Sequence, residues 1–211
     1  MNKQPTFGQW FPIALMVGVL AGLSVLFTQQ VAAVEGYAWF GAVWVLFISW
    51  GFWFAGGAKW KRLPKYIIAL GGGVVFGILT LVIWGYVSAF LESIAVGSSA
   101  IAGLSLGITV FLAATTIVTL ELTNWFEMAF GYFFAYAGYF AYVLGNAGGV
   151  SIFNESGAVI TDAVVTNAGY YFILLMVGLG FAIINQVLKD MIFKIERVPF
   201  DQRNTIFDKE M

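Results

Sequence analysis

Tyr66-Ile-Ile-Ala-Leu-Gly-Gly-Gly-Val-Val-Phe-Gly-Ile-Leu-Thr-Leu-Val-Ile-Trp-Gly-Tyr-Val-Ser-Ala-Phe90 carries no charge from end to end. Coiled as a helix at about 1.5 Å per residue, it is long enough to cross a hydrocarbon layer about 30 Å thick. Five stretches of the same character surround it: about Phe11 to Thr28, Tyr37 to Gly57, Ala100 to Leu120, Trp125 to Leu144 and Tyr170 to Leu188. Of 211 residues, 61% are hydrophobic and 10% charged, too little polar surface to coat a water-soluble globule. These features predict an all-α integral membrane protein of about six transmembrane helices, with residues 1–211 forming a single transmembrane domain. The aromatic residues Trp10, Trp39, Trp60, Trp125, Tyr66 and Tyr170-Tyr171 fall near the expected boundaries, where such rings sit at headgroup depth. The first run is read as a retained span, because no small-residue cleavage site follows it.

The basic residues are segregated. Lys59, Lys61, Arg62 and Lys65 crowd the segment before the third span; Lys3 precedes the first; Lys189, Lys194, Arg197, Arg203 and Lys209 follow the sixth. All ten lie on one side of a six-span arrangement, and the positive-inside rule makes that side the cytoplasm, with both termini there. Glu35, Glu92, Glu155 and Asp162 fall on the opposite side. Beyond the last span, residues 189–211 read as a cytoplasmic tail whose first part continues along the membrane surface. The longest outer segment, Gly145 to Asn167, is rich in Gly, Asn and Ser and reads as a loop with some folded-back structure. The alternation around Val159 to Val165 fits a short strand, a surface helix or a re-entrant piece equally well.

The chain has no Cys and no His, which excludes thiolate redox chemistry, Cys/His zinc sites and imidazole catalysis. No phosphate-binding loop, dinucleotide fingerprint or nucleophile elbow occurs, and no convergent acid, base or metal set is visible. The sequence therefore predicts no enzyme and no cofactor. A net charge of −1 argues against a nucleic-acid partner.

An internal repeat is suggested by Leu20-Ala-Gly-Leu-Ser24-Val-Leu-Phe-Thr28 against Ile101-Ala-Gly-Leu-Ser105-Leu-Gly-Ile-Thr109. Pairing Trp39-Phe40 with Trp125-Phe126 then places Phe47 on Phe133, Phe54 on Phe140 and Ala55 on Ala141. In the third and sixth spans Tyr66 falls on Tyr171, Gly73 on Gly178 and Phe76 on Phe181. Halves of three spans each, about 1–92 and 93–188, enter the membrane in opposite directions and would form an inverted repeat. Chance matches among Gly, Ala, Leu and Phe are the competing explanation. Gly18 with Gly22, Gly73 with Gly77 and Gly103 with Gly107 read as packing seams between helices.

Candidate functional residues follow from this frame. Ser24, Thr28, Ser105 and Thr109 are the repeat-related hydroxyls and would face one another at a central axis; otherwise they bond their own backbone carbonyls, the commoner fate of helical Ser and Thr. Phe47, Trp50, Phe133 and Tyr136 come from the two most aromatic spans, where stacked rings can line a slot for a small uncharged solute or simply pack against lipid and helices. Glu121 is the candidate ion-linked acid, since a carboxylate costs about 2.5 to 3.5 kcal/mol at mid-membrane and far less at an interface. Asn124 with Glu127 three residues later resembles a capping box opening the fifth helix.

The run Trp44 to Lys59, Trp-Val-Leu-Phe-Ile-Ser-Trp-Gly-Phe-Trp-Phe-Ala-Gly-Gly-Ala-Lys, with Gly-Tyr-Phe-Phe-Ala-Tyr-Ala-Gly from Gly131 to Gly138, resembles an uncharacterised family of small bacterial inner-membrane proteins, domain of unknown function 1097. The resemblance implies a bacterial cytoplasmic membrane and a compact six-span fold, and carries over no substrate or catalytic residue. The residues themselves favour a channel or facilitator for a small uncharged or weakly polar solute, in contact with the lipid bilayer and assembling as a homo-oligomer. An ion-coupled secondary transporter and a noncatalytic membrane partner or assembly subunit are the alternatives.

Overall fold

The computed structural model describes residues 7–94 and 100–192. Six α-helices carry the architecture: α1 Phe7–Ala32, α2 Trp44–Ala55, α3 Leu63–Ile94, α4 Ala100–Leu120, α5 Ala129–Leu144 and α6 Thr161–Ile192. No strand forms among the described residues; the one β-type pairing is an isolated antiparallel bridge between Phe153 and Val159. That bridge closes the segment after α5, and α6 begins at Thr161, so most of the stretch from Val159 to Val165 is helical. Asp162 in the first turn of α6 and Lys189 in its last complement the helix dipole. Pro64 sits in the first turn of α3, where no N–H partner is needed.

Four segments are long and apolar enough to cross a membrane: Phe11–Ala32, Trp60–Ile94, Gly103–Leu120 and Thr161–Met191. Long rows of apolar side chains on them face outward, among them Leu15, Val19, Leu23 and Leu26 on α1 and Leu104, Phe111 and Leu112 on α4. Water would not tolerate such faces, whereas hydrocarbon does, and the chain is a membrane protein.

The second and fifth apolar stretches are less regular than their composition implies. The former is divided into a 3-10 turn at Ala38–Gly41, a break at Ala42 and Val43, and the 12 residues of α2. At about 1.5 Å per residue, α2 is about 18 Å long and α5, with 16 residues, about 24 Å, both less than the hydrocarbon thickness. The expected capping box at Asn124 and Glu127 does not form. The N-cap of α5 is Met128, without a side-chain bond, because Lys65 claims both acceptors: its Nζ donates to Asn124 Oδ1 and to Glu127 Oε1, each at 2.8 Å. Charge-assisted bonds to an ammonium at the start of α3 outweigh a neutral cap.

The interior is built from α2, α3, α5 and α6. The broadest seams run between α3 and α5 and between α2 and α6; α3 also crosses α6, and α2 touches α5. Helix α1 lies outside against α6 and the 3-10 turn, and α4 lies outside against α3 and α5. The two outer helices do not touch each other.

Two glycines set the spacing of the broad seams. A Cβ at Gly73 would strike the Tyr132 carbonyl, the Ala135 side chain and the Tyr136 amide of α5. One at Gly178 would strike the Leu46 carbonyl, Leu46 Cα and Ser49 Oγ of α2. In the register that places Phe47 on Phe133, Leu46 falls on Tyr132 and Ser49 on Ala135. The tyrosines behave alike. The Tyr66 ring packs on Phe52 and Trp53, and its hydroxyl lies where a Cβ on Gly56 would be. The Tyr171 ring packs on Tyr139 and Tyr142, and its hydroxyl lies where a Cβ on Gly138 would be. In the same register Phe52, Trp53 and Gly56 fall on Gly138, Tyr139 and Tyr142.

By contrast, Gly18, Gly22, Gly103 and Gly107 have open space where a Cβ would stand. Among the described residues they form no seam, unlike Gly73 and Gly77. Gly73→Ala and Gly178→Ala are expected to lower stability by about 3 kcal/mol each, since the obstacle is backbone that cannot turn aside. Gly18→Ala is expected to be neutral or stabilising by up to about 1 kcal/mol. Reversible unfolding in mixed detergent micelles measures all three.

Candidate functional site

Along α5, Tyr132, Tyr136 and Tyr139 recur at helical spacing and turn one face toward α3, which offers Gly72, Gly73, Gly77 and Thr80. The glycines leave room for the rings: Tyr132 fills the space beside Gly72, and Tyr139 that beside Gly77. With Tyr142 and Tyr171 they form a buried column of phenols, all five rings almost wholly enclosed.

Not every hydroxyl in the column has a partner. Tyr136 Oη lies 3.1 Å from Thr80 Oγ1, Tyr139 donates to the Val164 carbonyl at 2.6 Å, and Tyr142 donates to the Trp39 carbonyl at 3.4 Å. The hydroxyls of Tyr132 and Tyr171 have no partner among the described residues. Elsewhere on α6, Asn185 Oδ1 and Gln186 Oε1 are also buried without a donor, while Gln186 Nε2 donates to Asp190 at 2.9 Å. A buried polar group left unpaired costs about 1 to 3 kcal/mol, so each such atom gains by acquiring a hydrogen-bonding partner.

The residues singled out from the sequence are distributed differently from the expectation. Ser24 donates to the Ala21 carbonyl, and Thr28 to those of Ser24 and Val25, within α1. Thr109 donates to the Ser105 and Leu106 carbonyls within α4. Ser105 alone reaches another helix, where its Oγ accepts from Trp84 Nε1 at 3.0 Å and lies 2.7 Å from Ser88 Oγ. Since α1 and α4 do not meet, the four hydroxyls share no axis. Ser24, Thr28 and Thr109 are satisfied by carbonyls of their own helices, and Ser105 by α3.

Of the aromatic set, Phe47 is 40% exposed on the outer surface of α2. Its ring stacks on Trp50 at 6.0 Å, and buried Trp50 stacks on Phe181 at 6.1 Å. Phe133 is half-buried against the core, and Tyr136 alone of the four belongs to the phenol column. Glu121 lies half-buried in the turn that ends α4, eleven residues before Tyr132, and has no ion pair among the described residues. Sequence reasoning missed Tyr132, Tyr139 and Tyr171 as a group. The signal was present in the spacing of Tyr132, Tyr136 and Tyr139 beside the spacing of Gly73, Gly77 and Thr80.

Residues 14–189 match a family described as a protein of unknown function, DUF1097. The chain belongs to the DUF1097 family. No curated protein and no solved structure matches it. The match spans α2 to α5 entirely, most of α1 and nearly all of α6, so the phenol column and both glycine contacts lie within the DUF1097 region.

Tyr139→Phe removes the buried bond to the Val164 carbonyl, which keeps its place in the α6 helix ladder, and is expected to cost about 1 kcal/mol. Tyr132→Phe removes a hydroxyl that has no partner and is expected to leave stability unchanged or raised. Unfolding free energies of the two variants, compared in one detergent, give the sign of each.

Proposed function

We propose that this DUF1097 protein is a facilitator of the bacterial cytoplasmic membrane that passes a small uncharged or weakly polar solute between two inverted three-helix halves. The observation that carries the reading is the pair of unbonded, buried hydroxyls of Tyr132 and Tyr171 within the helix seams. Tyr132 sits between α3 and α5, hence between the halves. Such groups suit a solute that exchanges hydrogen bonds with phenols and has no charge to desolvate.

The inverted arrangement is supported by register. Gly73 and Gly178 meet paired positions on α5 and α2, and Tyr66 and Tyr171 meet paired triads on α2 and α5. Exchanging the first three helices with the last three converts the α3–α5 seam into the α6–α2 seam, and the α3–α4 contact into the α6–α1 contact. Because α2, α3, α5 and α6 pack tightly, the reading is of halves that rock against each other around the column, not of a fixed open pore. Six spans with both termini inside are supported by the distribution of lysine and arginine.

Orientation is accessible to a direct test, since the chain contains no cysteine and any introduced thiol is unique. In intact cells Glu155→Cys is expected to react with a membrane-impermeant maleimide, and Lys61→Cys only after lysis; the reverse pattern would overturn the orientation.

Proteoliposomes are expected to pass at least one of urea, ammonia, short amides, polyols or small acids faster than empty vesicles. Tyr132→Phe is expected to slow that flux without unfolding the protein. Flux no greater than that of empty liposomes across the whole panel would contradict the facilitator and favour the assembly-subunit reading.

A further inference from the structure

Where α3 ends, opposite its lysine-rich start, an open cleft of about 430 Å³ lies between residues 82–92 and the loop 153–161. Its walls include Trp84, Tyr86, Ser88, Glu92, Phe153 and Ser156. The Trp84 ring is pinned from two directions: Nε1 donates to Ser105 Oγ at 3.0 Å, and the Phe153 ring stands perpendicular to it with centroids 5.8 Å apart. The opposing loop is fixed as well, since Asn154 Oδ1 accepts from the Ser156 amide, the Ser156 hydroxyl and the Ala158 amide. The aromatic wall is thus in place before any ligand arrives.

The charge of the cleft has one sign. Glu92 lines it, and Glu155 and Asp162 adjoin the lining residues Ser156 and Thr161 in the chain. None of the three has an ion pair among the described residues, and the sequence holds no lysine or arginine between Lys65 and Lys189. A concave site lined by a carboxylate, with further acids beside it in the chain and no counter-charge, attracts cations. Rings of Trp, Tyr and Phe add the attraction that an ammonium with an apolar body, and not a strongly hydrated metal ion, can use.

We propose that this cleft is a binding site for a small organic cation, an ammonium group carried on an apolar body, held between the Glu92 carboxylate and the Trp84, Tyr86 and Phe153 rings. The site stands on the cleft alone and is independent of the transport reading.

The test uses the full chain in detergent, with equilibrium dialysis of labelled choline. Saturable binding is expected, weakened roughly tenfold or more by Glu92→Gln and by Trp84→Leu, and unchanged by Glu35→Gln, which neutralises an acid outside the cleft. Glu92 is exposed, so its substitution leaves the fold intact, and a thermal melt checks the same for Trp84→Leu. The neutral carbon isostere dimethylbutanol is expected not to compete. The proposal is overturned by the absence of saturable choline binding, by equal competition from the isostere or from calcium, or by a Glu92→Gln variant that binds as the parent does. Solute flux in liposomes does not enter any of these outcomes.

Discussion

The rest of the structure depends on how closely α3 can approach α5 and how closely α6 can approach α2. Inside a bilayer the apolar faces of helices gain nothing by leaving lipid, so association rests on close packing and on hydrogen bonds between helices. Gly73 and Gly178 permit that packing by bringing backbone against backbone. Once the helices are this near, large rings must occupy the flanking space, and Tyr66, Tyr132, Tyr139 and Tyr171 do so with almost no exposed surface. The short helices α2 and α5 become the interior for the same reason: each lies along a longer helix from the other half of the chain, and its aromatic side chains fill the seam.

This packing has a consequence for polar chemistry. Rings confined by glycine tracks cannot turn freely to find acceptors, and so some phenols bond a neighbouring carbonyl or Thr80 while Tyr132 and Tyr171 have no partner among the described residues. A fully satisfied column would be a structural seam and no more. Unsatisfied positions in it make the seam chemically receptive: Tyr132 lies between α3 and α5, and Tyr171 between α5 and α6. At the far end of α3, a different surface with a different character gathers the Glu92 carboxylate and aromatic rings in one cleft. The protein therefore separates a neutral, phenolic interior from a surface cleft lined by Glu92 and aromatic rings.

The long helices were readable from the sequence because an uncharged run of sufficient length admits few alternatives. Their facing was not. Helices that are apolar all round give no direction for packing, and so Gly18-Gly22 and Gly73-Gly77 look identical in sequence although one faces open space and the other a neighbouring helix. The match between Ser24 and Ser105 misled for the same reason, for the two sit on outer helices that never meet. Gly73 with Gly178 and Tyr66 with Tyr171 were identifiable because their alignment carries a second layer of matched partners on α2 and α5. The shortness of α2 escaped hydropathy, which does not register the break at Ala42 and Val43. The capping box at Asn124 failed because a cation from a distant part of the chain, Lys65, competes for the same oxygens.

The central claim is that two inverted halves clasp each other through equivalent glycine contacts. A structure determined in a lipid bilayer tests it most directly, by superposing α2 and α3 on α5 and α6. The account requires a rotation close to a half-turn about an axis lying in the membrane plane, carrying Gly73 onto Gly178 and Tyr66 onto Tyr171. A best superposition about an axis along the membrane normal, or none that brings these pairs together, would contradict it.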